Sequence, residues 1–214
     1  TKLKYYPGWD NLWPVEQDPD IVVFFDNNPA KLVFWRGIRY GPSWVSENDL
    51  WMTDQSLETW GTGDKDIEGC FEHMQDRHCR FSHVRIIENN DARAVVHWRY
   101  APVSSHDNTW LPDPKTGWEV WVDEYYYIYP DGTAIRKVSW NKGTTGRALQ
   151  LQESLPLTQP GQTSDEVIED NYVTVSDYDN NSTVVSMSKG KPPADWTGVY
   201  TIQQYNFKSE VKPF

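Results

Sequence analysis

The sequence predicts an all-β fold: an antiparallel β-sandwich of jelly-roll or supersandwich type, with a closed β-barrel as the alternative. Three observations carry this. Apolar and aromatic residues recur with period two rather than 3.6, the apolar runs are short, and clusters of Gly, Pro, Asn and Asp separate them. With 214 residues, the chain is long enough to bury a substantial core as one domain spanning 1–214.

Taken in order, residues 21–25 and 31–40 flank the turn cluster Asp26-Asn27-Asn28-Pro29 and read as a hairpin whose second strand ends at Gly41-Pro42. Residues 47–58 lack clear periodicity and suit a short helix or irregular loop, and 61–69 a loop. Segments 80–88 and 92–101 pair around Glu88 to Asp91. In the second, Val95, His97 and Arg99 share one face, and Val96, Trp98 and Tyr100 the other. A long polar loop, 102–117, precedes the clearest hairpin, 118–129 with 133–140, which turns at Pro130-Asp131-Gly132. There Glu124, Tyr126 and Ile128 oppose Tyr125, Tyr127 and Tyr129, and Arg136, Val138 and Trp140 oppose Ile135, Lys137 and Ser139. Residues 149–155 alternate as a further strand, 156–166 form a linker, and 171–176, 183–188 and 198–207 supply three more strands. Asn180 and Asn181 are overlapping glycosylation acceptors that mark a surface turn.

Composition narrows the function. Twelve Trp, twelve Tyr and seven Phe exceed what packing a β protein asks for. Aromatic faces beside Arg and His suit a sugar polymer, because pyranose C–H faces stack on indole and phenol while charged donors bind hydroxyls and carboxylates. A net charge of −11 repels nucleic acid, but a local cluster of Arg and His still accommodates an anionic polysaccharide. The longest apolar run, Ile21 to Phe25, falls far short of the roughly 18–20 residues of a membrane span. Nucleotide-binding glycine loops, the Gly-x-Ser-x-Gly elbow and the His-Glu-x-x-His zinc helix are absent from the sequence. Starting at Thr1, the chain reads as a mature secreted or periplasmic product, or as a piece of a longer one.

Cys70 and Cys79 are the two cysteines. A disulfide between them would close a short loop and contribute about 2–3 kcal/mol. Free thiols, or a zinc site completed by His73 and His78, are the other readings; the latter lacks a Cys-x-x-Cys or His-x-x-x-His spacing. No cofactor is implied, and structural calcium among the loop Asp and Asn residues is left open.

The runs Phe34 to Tyr40, Cys79 to Asn89, Val96 to Tyr100 and Asp123 to Gly132 resemble the β-sandwich part of large secreted proteins of polysaccharide-degrading bacteria, among them lyases acting on uronate polymers such as ulvan. The resemblance spans roughly residues 30 to 160 and implies one lobe of a larger enzyme. β-Elimination at a uronate requires a cation to neutralise the carboxylate, a base for the C5 proton and an acid for the leaving oxygen. His97 and Arg99, about 7 Å apart on one strand face, fit the first two tasks, with His83 or Arg85 extending that face, Tyr126 as the acid and Arg136 as a second cation. Arg36, Tyr100, Arg136, Trp98 and Trp140 complete the expected substrate contacts. A carbohydrate-binding module and a structural or assembly sandwich are the alternatives.

Overall fold

A strand whose side chains alternate between apolar and polar has one face to hide, and two such sheets satisfy each other face to face. The computed structural model describes residues 20–53, 56–60, 69–141, 161–188 and 202–208. It is an all-β protein of antiparallel sheets, and none of its described sheets closes into a barrel. Contacts group the chain into two compact units, Thr1–Leu151 and Gln152–Phe214. None of the described helices is long and apolar enough to cross a membrane.

In the first unit, β1 (Ile21–Phe24), β2 (Lys31–Phe34), β3 (Pro42–Val45) and β4 (Trp51–Met52) form one sheet in chain order. The short strands β5 (Thr59–Trp60) and β6 (Cys70–Phe71) pair with each other. The second large sheet is a meander of β7 (Ser82–Asn90), β8 (Arg93–Tyr100), β9 (Val122–Ile128) and β10 (Ala134–Trp140). Leu32 and Phe34 of β2 share one buried cluster with Val96, Trp98 and Tyr100 of β8 and Val122, Tyr126 and Ile128 of β9. Phe34 meets Tyr126 edge to face, with ring centroids 5.6 Å apart.

The expected strand 31–40 stops at Phe34. The Trp35 indole lies over Gly37, where a Cβ would sit 2.5 Å from the ring, and the chain bends through a 3₁₀ turn at Arg36–Ile38. Arg39 and Tyr40 follow with φ of 54° and 61°, and β3 then pairs back onto β2. No helix occurs in the described part of 47–58. Ser46 Oγ instead accepts the N–H groups of Asn48 and Leu50 and makes a tight turn into β4. The β9–β10 hairpin turns where the sequence predicts, with Gly132 at φ 91°. Ile87 is an extra residue in β7, a bulge between Ile86 and Glu88.

Alternation also carries one carboxylate into the core. Glu124 is fully buried and accepts from Tyr100 (2.8 Å), Tyr126 (2.6 Å) and two nitrogens of Arg136 (both 2.7 Å). Each oxygen therefore takes one phenol and one guanidinium N–H, which offsets the cost of removing a charge from water. His73 lies nearby, edge-on to Trp98 at 4.8 Å, and among the described residues its buried ring nitrogens make at most a marginal contact with the Ile38 backbone. Gly41 makes room for it, since a Cβ there would fall 2.5 Å from Nε2.

In the second unit, the single turn α1 (Ser164–Val167) leads into β11 (Ile168–Ser176), flanked by β12 (Ser182–Val185) and β13 (Ile202–Phe207). The expected strand 149–155 lies outside the described residues, as do residues 156–160 of the linker. The Asp177 carboxylate closes the β11–β12 turn by accepting from the Asp179 and Asn181 N–H groups and the Asn181 side chain. Exposed Asn180 sits in that turn at φ 65°.

Burial, with the Arg39 guanidinium adding to it, pushes the His73 pKa from 6.5 down to about 3. Between those values the unfolded chain binds a proton that the folded chain refuses, so stability falls as the pH drops from 6.5 towards 3. Urea denaturation between pH 4 and 7 should show this slope, and His73→Leu should flatten it by up to one proton, about 1.4 kcal/mol per pH unit.

Candidate functional site

Because β8, β9, β10 and the Ser82–Ile86 part of β7 pair in continuous register, side chains of the same parity line up across all four strands there. His83 opposes Arg99 and Arg85 opposes His97; on the other side of β8, His97 opposes Tyr125 and Arg99 opposes Asp123. These residues lie on the sheet face turned away from the core. Exposed His83, Arg85, Arg99 and Lys137 surround half-buried Asp123, Tyr125 and Tyr127.

Four side chains form a continuous chain of contacts there. Arg85 Nε donates to His97 Nδ1 at 3.2 Å. His97 Nε2 meets Asp123 Oδ1 at 2.6 Å, and Arg99 binds both Asp123 oxygens at 3.2 Å. An acceptor at Nδ1 and a donor at Nε2 describe one neutral tautomer held by its neighbours. The Tyr125 ring stacks on His97 at 4.5 Å and 10°, leaving His97 only 5 % exposed. Trp121 continues the platform, with the Arg99 guanidinium 5.5 Å over its ring and His83 at 6.1 Å.

Asp123 is shared between His97 and Arg99, so the quartet carries two guanidiniums against one carboxylate. Arg85 spends only Nε, and its two terminal nitrogens have no partner among the described residues. A guanidinium held by Nε with its fork unoccupied is preorganised for a carboxylate or sulfate.

The expected catalytic set is split by the sheet. His97, Arg99 and His83 share the outer face, but Tyr126 has the opposite parity and points into the core at Glu124. Burial and the Glu124 charge raise its pKa well above 10, which makes it a weaker proton donor than an ordinary tyrosine. Of the expected substrate contacts, Tyr100 is fully buried, donating to Glu124 and accepting from the Leu57 N–H. Trp98 is fully buried and donates to the Arg39 carbonyl. Arg136 is committed to Glu124, and Trp140 packs against the core. Arg36 sits in the turn after β2, donating to the Tyr40 hydroxyl at 3.4 Å. These five do not converge on the outer face, because side-chain parity or the early end of β2 takes each of them elsewhere.

Arg85 joins His83 on the outer face as expected, and Asp123, Tyr125 and Trp121 belong to it as well. Parity within each strand marks their orientation, but only the register between strands brings them together.

The expected disulfide does not form: Cys70 and Cys79 are free thiols. Cys70 Sγ lies 3.8 Å from Glu58 Oε2, and Cys79 Sγ lies 3.8 Å from the Arg36 carbonyl. The 3₁₀ turn at His73–Gln75 comes between them, and each thiol packs against a different neighbour. Burial raises both, Cys70 to about 11 with help from Glu72 and Glu58, and Cys79 to about 12 with help from Asp76. Neither His73 nor His78 joins them in a zinc site. The metal-capable group among the described residues is Glu58, Cys70 and Glu72, whose donor atoms lie within 4.8 Å of one another. A thiolate in that set suits zinc-like ions over calcium.

No protein-family model matches the chain, and comparisons with curated proteins and with solved structures find no match. Thiol titration in denaturant without reductant should report two thiols per chain. Alkylation of the folded protein at neutral pH should be slow, because little thiolate is present.

Proposed function

We propose that the first unit is a glycan-binding module, and that an anionic polysaccharide lies along the outer face of the β7–β10 sheet. In this reading sugar rings rest on Trp121, Tyr125 and Tyr127 while carboxylates or sulfates meet Arg85 and Arg99. The observation that carries it is the Arg85 fork, anchored on His97 beside a stacked tyrosine and left open for an anion. Tyr125 and Tyr127 of β9 are two residues, about 7 Å, apart along the strand and Trp121 lies four residues before Tyr125, a spacing that serves an extended polymer better than a compact ligand.

Elimination chemistry is the second reading, and it narrows to His83. Both His97 nitrogens are engaged and its ring is covered, whereas His83 is exposed, across from Arg99 and beside Trp121. An imidazole so placed can reach a C5 proton while Arg99 holds the carboxylate.

Calorimetric titration with polyuronates and with neutral polymers separates these readings when paired with ultraviolet absorbance of an unsaturated product. Binding of the anionic polymer is expected, weakening with salt. Arg85→Ala or Arg99→Ala should each cost about tenfold or more, as loss of a charge-assisted hydrogen bond does. An absorbing product lost in His83→Ala would establish the elimination reading. Failure of every anionic polymer to bind would remove the proposal.

A further inference from the structure

One edge of the first unit brings together the end of β1 and the tips of two hairpins, tied by the Asp26 N–H donating to the Pro130 carbonyl at 3.0 Å. Between them lies a cleft of about 340 Å³. Val23, Ala94 and Ile128 give it an apolar lining, and Phe24, 65 % exposed, stands at it together with Tyr129. The size is at the small end of the roughly 300–1,000 Å³ typical of small-ligand sites, enough for one sugar unit and too little for a polymer segment.

Its polar groups define the ligand. Asp26, Asn89 and Asp91 line the cleft, and their side chains have no hydrogen-bond partner among the described residues. Arg93 also lines it, but Nε and a terminal nitrogen are held by Glu88 at 2.9 Å each and its guanidinium lies over Tyr127. The open charges are therefore both carboxylates, which accept hydroxyl donors and repel an anion. No third His, Cys, Asp or Glu joins these two carboxylates within ligating distance, as the one such group among the described residues is elsewhere.

We propose that this cleft binds a single uncharged sugar unit, its hydroxyls donating to Asp26 and Asp91 and an apolar ring face resting on Phe24. The inference rests on the reading of this unit as glycan-binding and adds a second subsite with the opposite charge preference to the outer face.

Amide-resonance titration of the full chain with methyl glycosides of neutral hexoses and pentoses, and with a methyl uronoside, tests it. At least one neutral glycoside should shift the Asn89 and Phe24 signals, while the uronoside leaves them in place. Phe24→Ala and Asp26→Ala should each weaken that binding about fivefold or more, and Arg85→Ala should leave it unchanged. The cleft proposal is overturned if no neutral glycoside shifts these signals, if the uronoside shifts them equally, or if Phe24→Ala and Asp26→Ala have no effect. Polymer titrations against Arg85→Ala report on the outer face separately, so either site can fail alone.

Discussion

The register of β8 against β9 decides which half of the first unit's chemistry is buried. In the observed pairing Trp98 faces Glu124 and His97 faces Tyr125. A slip of β8 by one residue against a fixed β9 would send His97 and Arg99 into the core and turn Trp98 and Tyr100 outward. The buried carboxylate holds that choice in place. Glu124 collects donors from β8 (Tyr100), from its own strand (Tyr126) and from β10 (Arg136), so it tests three strands at once. Any other register leaves a carboxylate without these donors, and breaking such a pair costs about 3–5 kcal/mol. Fully satisfied, the network adds little net stability over an apolar core; its effect lies in rejecting wrong pairings.

The outer face is arranged as the inner face's complement. Because Glu124 consumes Arg136 and two tyrosines on the buried side, the quartet Arg85, His97, Asp123 and Arg99 forms from residues of the other parity alone. Its order is cation, neutral imidazole, anion, cation, each link a hydrogen bond. This arrangement fixes two guanidiniums that would otherwise lose rotamer freedom on meeting a ligand. It also uses the imidazole as a spacer: a ring gripped at both nitrogens and stacked under Tyr125 has no lone pair to offer a substrate proton.

Much of this was legible in the sequence because parity within a strand is a local property. The hairpins around Asn90 and Pro130, the opposed faces of Val95 to Tyr100 and Glu124 to Tyr129, and the Arg136, Val138 and Trp140 side of β10 all follow from alternation between turn residues. What alternation does not reveal is which face goes inward. Both faces of β8 and β9 carry aromatics with charged or polar partners, so a glutamate with a tyrosine on each side in space reads no differently from a ligand site. Arg136 and Tyr126 were attractive as site residues for the same reason that they are buried: a carboxylate needed them. The end of β2 was hidden for another reason, since the fold of Trp35 over Gly37 is a contact between near neighbours that β-propensity favours continuing through. The two cysteines mislead by proximity in sequence, as a 3₁₀ turn separates their thiols.

Net charge and local charge then part company. The chain carries 31 acidic and 20 basic residues, yet the outer face gathers Arg85, Arg99 and Lys137 around one carboxylate already shared by two partners. Screening over about 8 Å at physiological ionic strength lets such a patch act against the average field, so the acidic remainder limits long-range attraction while short-range pairing stays strong. At the hairpin-tip edge the balance reverses: Arg93 is neutralised by Glu88 and the unpaired groups are acidic. A single sheet thus presents a cation-rich middle and a carboxylate-rich end, because each arginine's behaviour depends on whether an acid stands within reach. Arg85 has a histidine where Arg93 has a glutamate, and that difference alone leaves one guanidinium open and closes the other.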